Sequence, residues 1–178
     1  KHVLFIGIVR NPVDWLNSLY KRKHHLPVHI TKSVPSFLNS KWYSIYDNPA
    51  NKEKEGKEIL QDRNIYTNER YVNVFEMRHV KHKYLIDDFP TVVENYILIK
   101  YEDLVNDFNT VMNNIKNKGI SLKKDIHFPI NITWNCKDKK QKSEFKPEIA
   151  DVKLISEDKV HNHKNFNVHY EKILGYVN

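Results

Sequence analysis

The sequence predicts an α/β fold, a parallel sheet flanked by helices. Two apolar runs carry that prediction: Val3-Leu4-Phe5-Ile6-Gly7-Ile8-Val9 and Tyr96-Ile97-Leu98-Ile99-Lys100-Tyr101. Unbroken runs of β-branched and aromatic residues read as strands buried on both faces, as in parallel sheets. Helical patterns follow each run, giving the order strand, helix, helix, strand, helix, and parallel neighbours need such crossovers.

The elements follow in order. Arg10-Asn11-Pro12 ends the first strand. Asn11 is a good N-cap and Pro12 suits the first helical position. Asp14 is placed to reach back as in a capping box. Trp15, Leu16, Leu19 and Tyr20 then form an apolar helical face. From His24 to Asn68 the pattern is poor and interrupted by Pro27, Pro35 and Pro49, with one short helix near 36–43. The charge run 51–58 reads as a solvated loop. A long unpatterned stretch in a compact domain is usually functional or mobile. Val72, Phe75, Glu76, His79, Val80 and Lys83 restore helical spacing up to Asp87, before Pro90. After the second strand, Glu102 and Asp103 place acids in a first helical turn, where the macrodipole favours them. That helix carries Leu104, Val105, Phe108, Val111, Met112 and Ile115 and stops at Gly119. A short strand within 127–134, a lysine-rich loop at 137–146 and a helix at 166–174 stopped by Gly175 complete the reading. There is no internal repeat and no linker, so 1–178 reads as a single domain with 24–69 as a variable insertion. It opens one residue before a core strand, so further residues are expected upstream.

Composition excludes several classes. The 178 residues are 40% hydrophobic, and a chain of this length buries about 70% of the surface its unfolded form exposes. No apolar run approaches the roughly 20 residues of a membrane span. One cysteine, Cys136, excludes internal disulfides and cysteine-based zinc fingers. Four glycines leave no complete G-x-x-x-x-G-K-[ST] phosphate loop. The formal charge of +7 fits an anionic partner, but abundant Asn, Lys and Ile make base composition the first reading.

Ligands of open α/β sheets sit beyond the carboxyl ends of the strands. Arg10 falls there, and the helix that it introduces is expected to point free backbone N–H groups into the same space. Ser18 lies one turn beyond Asp14 and two beyond Asn11, on one side of that helix. A guanidinium, a hydroxyl and a helix end suit a phosphate. Read from spacing alone, Arg10 and Ser18 are equally ordinary surface residues.

Ile8-Val9-Arg10-Asn11-Pro12-Val13-Asp14-Trp15-Leu16-Asn17-Ser18 resembles the 3′-phosphate-binding segment of sulfotransferases that use 3′-phosphoadenosine 5′-phosphosulfate (PAPS). In that family a strand ends in Arg-Asn/Asp-Pro and a Ser follows the Arg by eight positions. Ile97-Leu98-Ile99-Lys100-Tyr101-Glu102-Asp103-Leu104 resembles the family's strand ending in Arg/Lys-Tyr-Glu-Asp-Leu. His169-Tyr170-Glu171-Lys172-Ile173-Leu174-Gly175-Tyr176 is similar to its closing Glu-x-x-Leu-Gly-Tyr helix. The resemblance spans the chain outside 24–69.

It implies a partial P-loop nucleotide fold, PAPS as co-substrate without a metal, and sulfuryl transfer to a hydroxyl or amine, with a carbohydrate as the expected acceptor. It implies that Arg10 and Ser18 hold the 3′-phosphate. The family's basic C-terminal loop would correspond to Lys137, Lys139, Lys140 and Lys142, although its usual Arg-Lys-Gly is missing. Lys139 and Lys140 are the residues assigned there. The family's glycine-rich 5′-phosphosulfate loop and its general base belong upstream of the first strand, so no catalytic residue is assigned. The chain alone is expected to be inactive, and an extended chain active. The 24–69 segment would shape the acceptor cleft. No signal-peptide pattern opens the chain, which leans towards the cytoplasm, or the Golgi if an anchor precedes it.

The alternatives are a non-catalytic nucleotide- or polyanion-binding remnant of the fold, and a nucleic-acid-binding domain driven by charge. The second predicts steep salt dependence and is disfavoured. Among other clusters, His24, His25 and His29, and likewise His161 and His163, lack a completing ligand set for a metal. Asp87-Asp88 is expected to face solvent at a helix end. Asn131-Ile132-Thr133 spells a glycosylation sequon. Arg78, His79, Lys81, His82 and Lys83 are expected to form a solvated basic face.

Overall fold

The computed structural model describes residues 3–47, 52–120, 131–134, 140–143 and 153–178. It is a mixed α/β chain whose contacts divide into two compact units. One contains residues 1–9 and 95–149, the other 10–94 and 150–178.

The first unit holds strands β1 (Phe5–Val9) and β2 (Tyr96–Lys100), helices α6 (Tyr101–Asn106) and α7 (Phe108–Asn117), and strands β3 (Asn131–Trp134) and β4 (Lys140–Ser143). β1 and β2 pair in parallel from Phe5–Tyr96 to Val9–Lys100, so their carboxyl ends lie side by side. Gly7 is tied to this pairing, because a Cβ there would overlap the side chains of Tyr96 and Leu98. The small core joins Ile99 of β2 to Val111 and Ile115 of α7.

Three sequence expectations change here. β1 is not buried on both faces: Phe5, Ile6 and Ile8 remain 43%, 48% and 55% exposed. The reason is that among the described residues β1 has a single strand neighbour. The apolar face of α7 covers Ile99, while Ile8, its partner in the ladder, stays open. The single helix expected after β2 is broken at Asp107, which leaves helical geometry and caps α7 by accepting a hydrogen bond from the Thr110 N–H. Part of the expected lysine loop is strand: β4 pairs antiparallel with β3, Lys140 opposite Trp134.

The second unit contains helices α1 (Pro12–Lys21), α2 (Val28–Thr31), α3 (Val34–Asn39), α4 (Val74–Lys83), α5 (Phe89–Val92), α8 (Glu157–His161) and α9 (Val168–Ile173). A π-helical turn, Tyr84–Asp88, joins α4 to α5. The core is built from Leu16 of α1, Phe37 of α3, Val74 of α4 and Val160 of α8, together with Ile30, Trp42, Tyr71 and Ile155, all essentially inaccessible. Burying one such large apolar side chain is worth roughly 1.5–3 kcal/mol. The Phe37 ring meets Trp42 and Tyr20 edge-on at 5.3 and 5.0 Å.

Much of this core comes from the stretch without a sequence pattern. Trp42 and Tyr71 form an isolated bridge, the Trp42 N–H donating to the Tyr71 carbonyl at 2.8 Å. Ser33 caps α3. Glu58, at the end of the charge run, is nearly buried and receives hydrogen bonds from Arg63 at 2.9 Å and Arg70 at 2.6 Å. The hydrogen bonds from Arg70 and then Arg63 hold its carboxyl down at a pKa of about 2. No helix among the described residues is long and apolar enough to cross a membrane.

Candidate functional site

The turn between β1 and α1 follows from three residues. Asn11 ends the strand and accepts hydrogen bonds at Oδ1 from the N–H groups of Val13 (2.9 Å) and Asp14 (3.3 Å). Pro12 occupies the first helical position and has no N–H. The Trp15 N–H donates to the Asn11 carbonyl at 2.9 Å. The first turn is therefore fully served by its own cap. This corrects the expectation of free backbone donors: Asn11 and Pro12 leave none for a ligand, so an anion here depends on side chains. Arg10 and Ser18 supply them, both half-buried, at the start and in the second turn of one helix.

Asp14 also departs from expectation. It does not close a capping box; its carboxylate pairs with Lys153 at 3.0 Å. The chain returns to α1 at that point through Asn17, which is 2% exposed. Asn17 accepts from the Ile155 N–H at 3.0 Å and donates to the Ile155 carbonyl at 2.8 Å and the Val13 carbonyl at 2.9 Å. Asn17 and Lys153 thus fasten the 153–155 segment to the helix carrying Ser18. Sequence reasoning missed both. An asparagine inside an apolar helical face was the available signal, since buried amides need partners.

Arg78 fixes the turn from the other side. Its Nε and Nη2 grip Glu171 of α9 at 2.5 and 2.9 Å, and the same Nη2 donates to the Arg10 carbonyl at 2.8 Å. The guanidinium also lies 5.1 Å from the centre of the Trp15 ring. Arg78 and Glu171 are 4% and 2% exposed, so this is a buried pair. His82 sits beside it, Nδ1 3.6 Å from Glu171 Oε1, too far for a hydrogen bond. Burial, reinforced by the neighbouring Arg78 charge, holds its pKa down at about 3, so His82 is neutral. The basic face expected on this helix is accordingly split. Lys81 faces out to Asp62 at 2.7 Å, whereas Arg78 turns inward to pair with Glu171 and His82 is buried beside them as a neutral ring.

The remaining sequence candidates fall as follows. Lys137 and Lys139 lie outside the described residues. Lys140 and Lys142 are β4 positions in the first unit, whereas Arg10 and Ser18 belong to the second. Asn131 opens β3. His163 stacks on Phe75 at 4.2 Å and His161 packs on Phe166 at 5.2 Å. The adjacent acids of the π turn are each committed to a tyrosine, Asp87 accepting from the Tyr170 hydroxyl and Asp88 from that of Tyr66.

No family model matches the chain, and none of the curated proteins or solved structures compared with it does so. The class that the fold defines is a mixed α/β protein with a two-stranded parallel sheet and helices.

Proposed function

We propose that the chain binds the donor nucleotide of a PAPS-dependent sulfotransferase, with Arg10 and Ser18 on its 3′-phosphate, and that it belongs to an enzyme transferring the sulfuryl group to a hydroxyl or amine. One observation carries the reading. Each unit by itself joins parts of two of the three segments that resemble the family, although these lie far apart in the chain. In the smaller unit the strand parts of the first two pair in register. The third reaches the first through Glu171, Arg78 and the Arg10 carbonyl. That linkage fixes the backbone from which the Arg10 guanidinium extends. A guanidinium ahead of α1 and a hydroxyl within it would suit a phosphate dianion, which gains strength from charge-assisted hydrogen bonds.

In sulfuryl transfer, negative charge spreads over the sulfuryl oxygens and the leaving phosphate. Catalysis then rests on positioning and on fixed positive charge. Arg10 would anchor the leaving nucleotide rather than act on the sulfur. A glycan acceptor remains the favoured choice, given the net charge of +7.

Retention on immobilised adenosine 3′,5′-bisphosphate tests the proposal. The chain is expected to be retained and to be released by the free bisphosphate at concentrations where 5′-AMP does nothing. Equal release by 5′-AMP would show that the 3′-phosphate is not read. Release by salt alone would favour a polyanion-binding remnant.

A further inference from the structure

The larger unit also holds a cleft whose lining does not include Arg10 or Ser18. It is an open cleft of about 250 Å³ between the first two turns of α4 and the segment entering α9, lined by Val72, Asn73, Glu76, His79, Asn165 and Asn167. We propose that this cleft binds a neutral polyol of single-ring size, a sugar-like molecule held by asparagine amides and the His79 imidazole.

The lining argues for that chemistry. Pockets for drug-sized ligands begin at roughly 300 Å³, so this one admits a single ring and not an extended molecule. No lysine or arginine lines it and Glu76 does, which disfavours an anion. Asn73 and Asn167 already use Oδ1 to cap α4 and α9, accepting from Phe75, Glu76 and His169. Asn73 is fully buried, so the exposed Asn167 NH2 group is the one left to donate to a hydroxyl oxygen. Glu76 uses one carboxylate oxygen on the Val72 N–H and keeps the other as an acceptor. His79 lines the same cleft with a half-buried ring. Burial also holds the His79 pKa below its usual value, with His169 and Lys83 adding to the effect. The cleft thus offers both a donor and an acceptor, as a hydroxyl requires. The inference rests on this unit alone and stands whether or not the chain binds a sulfuryl donor.

The test is a titration of the whole chain with methyl β-D-glucoside, followed by NMR at the His79 ring and the Asn167 side-chain amide. Glucose 6-phosphate serves as the charged counterpart, and Val72→Trp as a variant that fills the cleft from an exposed position. The glucoside is expected to shift both resonances saturably, with the millimolar affinity that a few hydrogen bonds supply. Val72→Trp should abolish the shifts while the rest of the spectrum stays in place. No saturable shift at His79, the same shift in the folded variant, or equal binding of the phosphorylated sugar would each overturn the proposal.

Discussion

Arg78 and Glu171 are the residues on which the proposed site depends most. Each alone is a buried charge, and removing one partner of such a pair costs about 3–5 kcal/mol because the other is stranded. Arg78→Met and Glu171→Leu should each destabilise the chain by that amount in urea. The double variant should lose less than the sum, since it strands no charge and loses beyond the pair only the hydrogen bond to the Arg10 carbonyl. Additive losses would mean that the two side chains do not act as a pair. His82 gives a pH signature. Its folded pKa of about 3 lies below the unfolded value of 6.5, so the unfolded chain takes up the proton first. Stability is complete above pH 6.5 and falls as the pH drops towards 3, by at most about 1.4 kcal/mol per pH unit. Burial acts in the same direction on His79 and His163. The informative quantity is therefore the difference from His82→Leu, which should flatten the slope between pH 6.5 and 4.5. An unchanged slope would mean that His82 is solvated. None of this was legible in the sequence. Arg78 and Glu171 are separated by 93 residues, and a charged residue carries no mark of being paired.

Elements were more readable where local chemistry fixes them. Asn11-Pro12 started α1 where expected, because capping and proline geometry act within three residues. Gly119 and Gly175 adopt positive φ just beyond α7 and α9, as their freedom from a Cβ allows. The stretch from Leu26 to Tyr71 defeated pattern reading for a physical reason. Its buried residues sit in four- and six-residue helices and single bridges, too short to show a period of 2 or 3.6. Asn17 belongs to this scale, because it joins α1 to a segment 138 residues away. Asn17→Ala leaves the Ile155 backbone groups unpaired and should cost about 1–3 kcal/mol in denaturant. Asn17→Asp restores the acceptor alone and should recover only part of the loss. A neutral Asn17→Ala would show that the 153–155 segment is held by packing.

The whole molecule combines a well-filled helical unit with a thin parallel sheet. The sequence predicted a sheet with helices, and both are present. What it could not show is how little of β1 is covered, since an apolar run reads the same whether one neighbour or two lie beside it. The candidate site is legible to a similar extent. Arg10 and Ser18 were singled out by the resemblance and not by spacing, while the contacts of Asn17, Arg78 and Glu171 needed the fold. The central claim is that this chain presents Arg10 to a 3′-phosphate. Calorimetric titration with adenosine 3′,5′-bisphosphate, against 5′-AMP, in the parent chain and in Arg10→Ala tests it most directly. Loss of hydrogen bonds to a charged group costs about 1.5–3 kcal/mol, so Arg10→Ala should weaken the bisphosphate roughly ten- to a hundredfold and leave 5′-AMP unchanged. Equal affinity for the two nucleotides, or a bisphosphate affinity indifferent to Arg10→Ala, would contradict the account.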